Sequence, residues 1–306
     1  KVRTYSLKKR TSKVSVVDFG SSWVAGGKMG RWLEGLPNIL AGTDLRKLVD
    51  RLTRAVKEKK TIILAMGAHA IKVGISPVIL DLMERGILTG LAVNGAGIVH
   101  DLEVAMIGAT SEDVERGLPQ GGFGMARETG EFLNRVINEG AEKGDGLGYS
   151  VGNSILKASF PYNKFSVSAG AARMNIPLTV HVAIGTDIIH FHPAVDGAAV
   201  GKTSHLDFRI FATLVSRLEG GVYINLGSAV ILPEVFLKAL TLVRNLGFNV
   251  RRFTTVDMDF IRHYRPMNNV VKRPTLDGGE GFSFIGHSEI MFPLLAAALI
   301  ENLETT

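Results

Sequence analysis

Five short runs of apolar and β-branched residues constrain this chain more than any other feature. They are TIILAMG (61–67), GLAVNG (90–95), IPLTVHVAIG (176–185), GVYINLG (221–227) and NVRRFTTVD (249–257), and most stop at a glycine or an acid. Between them lie segments with apolar residues at three- and four-residue spacing: 43–60, 75–86, 129–144, 204–220 and 233–247. Strands apolar along their whole length need cover on both faces, and joining them through helices makes neighbours parallel. The expected fold class is therefore α/β: a doubly wound, mostly parallel sheet with helices on both faces. Thr43 and Ser204 are read as N-caps, and Gly220 and Gly247 as C-caps. In such sheets ligands bind outside the carboxyl ends of the strands. AMGAHA, VNGAGIVHD, AIGTDIIHFH and NLGSAV stand at those ends.

Charge separates an arm from a body. The opening KVRTYSLKKRTSK holds Lys1, Arg3, Lys8, Lys9, Arg10 and Lys13 and no acid; without those six, 29 of the 35 basic residues remain, against 29 acids. We read residues 1–34 as a basic N-terminal arm and lead-in, and 35–306 as a single α/β dinucleotide-binding domain. No aromatic interleaving accompanies the basic residues, so nucleic acid is not the expected partner. The absence of cysteine excludes disulfides, thiolate metal sites and cysteine nucleophiles, and suits a reducing compartment. With no signal peptide at its start and no apolar stretch long enough to span a bilayer, the expectation is a cytoplasmic protein without membrane contact.

Four stretches carry candidate chemistry. NGAGIVHD (94–101) gives a G-x-G-x-x-H turn, half of the dinucleotide fingerprint, with glycines that would let backbone approach a pyrophosphate at a helix start. GAAVGKTSHLD (197–207) imitates a P-loop but is one residue short between its glycines. DIIHFHP places His190 and His192 two apart, on the same side if the segment is extended. With Asp207 they are the basis of an alternative reading, a metal-dependent hydrolase; no H-E-x-x-H pair supports it, and no metal ligand is assigned. LDGGEGFSFIGHSE (276–289) sets Asp277, Glu280, His287 and Glu289 among four glycines, which suits either helix capping or a loop for a cationic substrate. The glycine-rich segments 117–130 and 144–154 are read as a mobile flap or irregular connections.

Taken in order, GAHAIKVG (67–74), NGAGIVHDLE, IPLTVHVAIGTDIIHFHP, NLGSAV and DGGEGFSFIGHSE resemble the deoxyhypusine synthase family over roughly residues 35 to 300. That family uses NAD to oxidise spermidine and transfers an aminobutyl group to a protein lysine. The resemblance implies a Rossmann-type NAD site built from Gly67, His69, Asn94, Gly95, Gly97, Asp101, Gly227, Ser228, Asp277 and Gly278. It implies Asp187 and Glu289 as polyamine-facing acids; for an amine oxidation on this chain, His100 or His190 is the expected base. It also implies a homotetramer made of dimers, with sites at the dimer interface.

The sequence departs from the family where the chemistry is made. Leu295 stands in place of the imine-forming lysine, Leu232 and Pro233 in place of a lysine-histidine pair, and His100 in place of an acid. Leucine cannot capture an imine. Deoxyhypusine synthesis is therefore not expected. The leading expectation is a deoxyhypusine synthase-like, NAD-binding transferase or oxidoreductase acting on a small substrate, an amine or polyamine. The alternative is a non-catalytic NAD- or ligand-binding protein on the same fold.

Overall fold

The computed structural model describes residues 1–305. Helices α1 (Met29–Glu34) and α2 (Leu40–Lys57) lead into strand β1 (Ile62–Met66). Helices α3 (His69–Lys72) and α4 (Ser76–Glu84) cross to β2 (Gly90–Asn94). The long passage to β3 (Leu178–His181) holds α5 (Gly95–Ile107), α6 (Val114–Gly117), α7 (Arg127–Lys143), α8 (Leu147–Ala158) and α9 (Val167–Arg173). Then α10 (Gly197–Val215), β4 (Val222–Leu226), α11 (Ile231–Asn245) and β5 (Thr254–Asp259) follow. A short α12 (Tyr264–Pro266) precedes β6 (Glu280–Ile285), and α13 (Ser288–Thr305) closes the fold.

The six strands lie in the order β3-β2-β1-β4-β5-β6, every pair parallel. Alternate strand residues feed two cores. Ile62, Leu64, Met66, Leu91 and Val93 pack beneath α2, α4, α5 and α13, while Ile63, Ala65, Ala92 and Tyr223 pack beneath α10 and α11. The doubly wound, mostly parallel fold expected from the sequence is present, here with every strand parallel. Order reverses between β1 and β4, which is where ligands bind in sheets of this kind.

Several local expectations change. Ser204 is no cap: Asp196 caps α10 by accepting from Ala198 and Ala199 N–H, and Ser204 Oγ instead donates to Val180 O (2.9 Å) in β3. Thr43 lies inside α2 and donates to Asn38 Oδ1 (3.2 Å). Residues 147–158 form the regular helix α8 rather than a flap, because Gly148 and Gly152 let Leu178 and Ser168 backbone approach closely. Strand β6 arises from a segment read as a loop. In the arm, the first seventeen residues are exposed; Asn38 N–H donates to Asp18 O (2.8 Å), and Arg46 binds Leu33 and Leu36 carbonyls.

Two buried ionisable groups of the β3 region have opposite pH signatures. Burial lowers His181, which meets Thr179 Oγ1 (3.0 Å) and the edge of Phe211, to about 3. Burial raises Asp207 to about 7, although Gly148 and Val180 N–H groups donate to its Oδ2 at 2.8 and 2.7 Å. Between about pH 4 and 6.5 the folded chain holds a proton on Asp207 that the unfolded chain has lost, so stability falls as pH rises. His181 has the reverse effect: only the unfolded chain is protonated there, so stability rises with pH. The two slopes oppose each other. Asp207→Asn is expected to unmask His181, steepening the acid-side loss of stability by about 1.4 kcal/mol per pH unit in urea melts. An unchanged slope would refute the opposing contributions.

Candidate functional site

The carboxyl ends of β1, β2 and β3 enclose a cavity of about 180 Å³, lined by Lys72, His100, Glu103, Glu112, Thr186 and Asp187, among others. His100 and Glu103 project from α5, which begins directly at the end of β2. Asn94 caps that helix by accepting from Gly97 N–H (3.1 Å). Lys72 ends α3 and stands exposed at the mouth. A second, more open cavity of about 620 Å³ shares Glu103, Ser111 and Glu112 with the first and adds Met106, Ile107 and Met125. The site is thus a charged inner chamber opening onto an apolar antechamber.

Hydrogen bonding fixes how His100 is held. Its Nδ1 lies 2.6 Å from Thr110 Oγ1, and Thr110 Oγ1 in turn donates to Glu103 Oε2 at 2.5 Å. Thr129 Oγ1 donates to the other Glu103 oxygen at 3.2 Å. An ionised carboxylate can only accept, so the Thr110 proton goes to Glu103 and the hydroxyl oxygen must accept from His100. The imidazole therefore carries its proton on Nδ1 and keeps its lone pair on Nε2. Burial lowers the His100 pKa from its ordinary value; Glu103 opposes this and Lys72 adds to it. His100 is a neutral, oriented base at neutral pH.

Asp187 enters from the loop after β3. Its Oδ2 would lie 2.0 Å from a Cβ on Gly95 and is buried without a hydrogen-bond partner. Burial raises its pKa, against the effects of His190 and the Ala96 N–H. The N-terminus of α5, offered by the sequence as a pyrophosphate cradle, is filled by the chain's own carboxylate. Gly97 N–H is likewise held by Asn94. This turn does not fit a pyrophosphate as folded. At the β1–β4 reversal, exposed His69 lies beside the Phe260 ring (centroids 6.2 Å apart), and Gly227, at φ 62°, has only His69 and Ser288 atoms near its Cβ position. Helix α3 connects the two places, His69 at its start and Lys72 at its end.

The other sequence-derived residues are scattered. Asp101 faces away from the cavity and accepts from Ser166 Oγ (2.7 Å), Val167 N–H (2.7 Å) and Ser168 N–H (2.9 Å), capping α9. Ser228 Oγ accepts from Leu232 N–H at the start of α11. Gly67 is packed on Gly227, whose oxygen a Cβ would meet at 2.4 Å. Asp277 and Gly278 precede β6 and so lie at the amino end of the sheet, opposite the cavity; Asp277 pairs with Arg251 (2.9 Å). Glu289 begins α13 beside His287 (3.8 Å), after edge strand β6, whereas Asp187 follows the other edge strand. Five strand spacings put the two acids roughly 24 Å apart, so one chain cannot hold one small substrate between them. His190 Nδ1 accepts from Gly185 and Asp187 N–H at 3.2 and 3.3 Å, and its Nε2 is buried without a partner.

The metal reading assumed an extended DIIHFHP. Residues Ile188–Phe191 instead form a 3₁₀ helix, in which positions two apart point in different directions. His192 packs on Gly130, and Asp207 is sequestered beneath β3. Among the described residues no group of three or more His, Cys, Asp or Glu could hold a metal ion. Sequence reasoning missed Lys72, Glu103, Thr110 and Glu112; the first two lay inside GAHAIKVG and NGAGIVHDLE, but nothing in their spacing marked them.

The strand order and a carboxyl-rim cavity beside the reversal define the class: an open, doubly wound α/β protein with the topology of dinucleotide-binding folds. Within that class the fold is deoxyhypusine synthase-like. It matches a candidate deoxyhypusine synthase from Entamoeba histolytica with a TM-score of 0.52 at 15% identity, over 92% of this chain and 96% of that one. AgrE in ternary complex with ornithine and NAD+ matches at 0.54 and 14% identity, over 86% of this chain and 34% of that one. ArgZ, an arginine dihydrolase from cyanobacteria, matches at 0.52 and 16% identity, over 86% and 33%. The chain spans about a third of the length of AgrE and ArgZ. Neither a protein-family model nor a curated protein sequence matches it. No described helix is long and apolar enough to cross a membrane.

Proposed function

We propose that this protein is an enzyme that binds a small aliphatic amine in the double cavity and activates it by proton abstraction at His100. The observation that carries this reading is the Glu103–Thr110–His100 relay, which leaves an imidazole lone pair in a chamber also lined by Asp187 and Glu112. Three acids against one exposed lysine favour a cationic ligand, and the antechamber of Met106, Ile107 and Met125 suits its hydrocarbon part. Asp187 and Glu112 hold the ammonium group; Nε2 of His100 takes a proton from it, freeing the nitrogen lone pair. NAD, held at the β1–β4 crevice by His69, Phe260 and the Gly227 turn, would when bound accept the hydride that leaves the adjacent carbon. AgrE, a structure with this fold, binds NAD+ and ornithine.

The two positions matched to the family's covalent lysine and lysine-histidine pair offer no nucleophile. Leu295 and Leu232 are both buried, packed in the two hydrophobic cores. We further propose a homo-oligomer, a tetramer made of two dimers. Val230, Phe260, Ile261, Tyr264, Ile285 and Ile290 expose a large apolar surface on the carboxyl side of β4, β5 and β6, and a second copy covering it would bring Glu289 to a neighbouring site. Sedimentation as a monomer at micromolar concentration would overturn that assembly. The functional test is NADH formation at 340 nm with a panel of diamines, polyamines and basic amino acids. Turnover confined to amines with an aliphatic chain is expected; saturable NAD and amine binding without turnover would leave a ligand-binding protein.

A further inference from the structure

A third cavity, of about 490 Å³, lies at the opposite end of the sheet, where β4, β5 and β6 begin. Arg51 and Arg54 from α2, Lys60 from the turn before β1, and Arg252 from the approach to β5 all line it. Most of the nearby acids are engaged. Glu280 pairs with Arg51 (3.0 Å) and Lys47 (4.0 Å), and Glu219 accepts from Arg251 N–H, Arg252 N–H and Arg252 Nε. Asp277 pairs with Arg251. Among the described residues Arg54 and Lys60 have no anionic partner, and Arg252 uses only Nε.

Glycine places these cations. Gly220 (φ 77°) and Gly278 (φ 97°) have no side chain, and a Cβ on either would meet the stem of Lys60 at 3.2 Å or of Arg252 at 3.4 Å. The two stems therefore lie across bare backbone, with Gly278 and Gly220 in the cavity wall. We propose that Arg54, Lys60 and Arg252 form a binding site for a pyrophosphate group, distinct from the amine cavity. Two or three converging cations match the charge of a diphosphate, and the volume accommodates it with a small attached group. Glu58, the one unengaged acid of the lining, opposes binding.

The test is calorimetric titration of the full chain, at low ionic strength, with inorganic pyrophosphate and with ADP. The Arg54→Ser/Lys60→Ser double variant is expected to bind at least about tenfold more weakly, whereas Glu58→Gln binds more tightly. Lys57→Ser/Lys59→Ser removes the same charge from residues outside the cavity and serves as the control. Binding equal for the two ligands assigns the site to free pyrophosphate, and tighter ADP binding assigns it to a nucleotide. No heat with either ligand overturns the proposal, as does an equal loss in both double variants, which would mean a diffuse basic surface. Thermal melts of each variant separate lost binding from lost folding.

Discussion

Asp101→Ala is expected to destabilise the protein by about 4 kcal/mol, the largest stability effect of any single polar substitution considered. The carboxylate is fully buried and receives three donors, Ser166 Oγ and the N–H groups of Val167 and Ser168. Alanine leaves all three without partners in an interior that water does not reach, and each stranded donor costs roughly 1 to 3 kcal/mol. The same bonds close the N-terminus of α9, whose first N–H groups have no partner within the helix. Asp101 therefore ties α5, the helix that bears His100, to the layer beneath β3. Asp101→Asn keeps one acceptor oxygen but sets an amide donor against an N–H, and should lose most of the same stability. Urea unfolding followed by far-UV circular dichroism measures both. If Asp101→Ala melts with the parent and loses only NAD affinity, the sequence-based assignment to a cofactor is right and the structural role is wrong.

Asp101 also shows how far the sequence could be read. Strands β1, β2 and β4 were legible because strands buried on both faces must be apolar throughout, and their glycine ends marked the carboxyl rim. Edge strand β6 was not, since its alternating burial and Gly281 look like the surrounding glycine-rich loop. On α5 the pattern placed a helix correctly but could not tell His100 from Asp101. Successive residues point about 100° apart, so one faces the cavity and the other the interior. The partners of His100 come from residue 103 and from residue 110 beyond the helix end, and those of Asp187 from the start of α5 and from His190. Such contacts depend on where the crossovers land. The resemblance joined Asp187 to Glu289, yet strand order sets them on opposite edges, a fact that no linear spacing encodes.

His100→Gln is expected to lower kcat of amine oxidation by between about 100- and 10,000-fold while KM changes little, the usual loss when a positioned base is removed. Glutamine fills similar space and can still meet Thr110, but it offers no basic nitrogen at the Nε2 position. The pH profile discriminates further, because catalysis needs the neutral ring. The rate should rise with pH along a limb set below the ordinary histidine value of 6.5, since burial lowers the His100 pKa. Lys72 also lowers that pKa, so Lys72→Met should move the limb upward; Glu103 raises it, so Glu103→Gln should move the limb downward. Glu103→Gln also replaces the acceptor that fixes the tautomer, and a further loss of kcat is expected without loss of amine binding. Nitrogen-15 chemical shifts of the His100 ring give a readout independent of turnover: the relay requires Nδ1 protonated and Nε2 bare. An Nε2-protonated ring would leave no lone pair facing the amine, and the base would have to be sought elsewhere in the chamber.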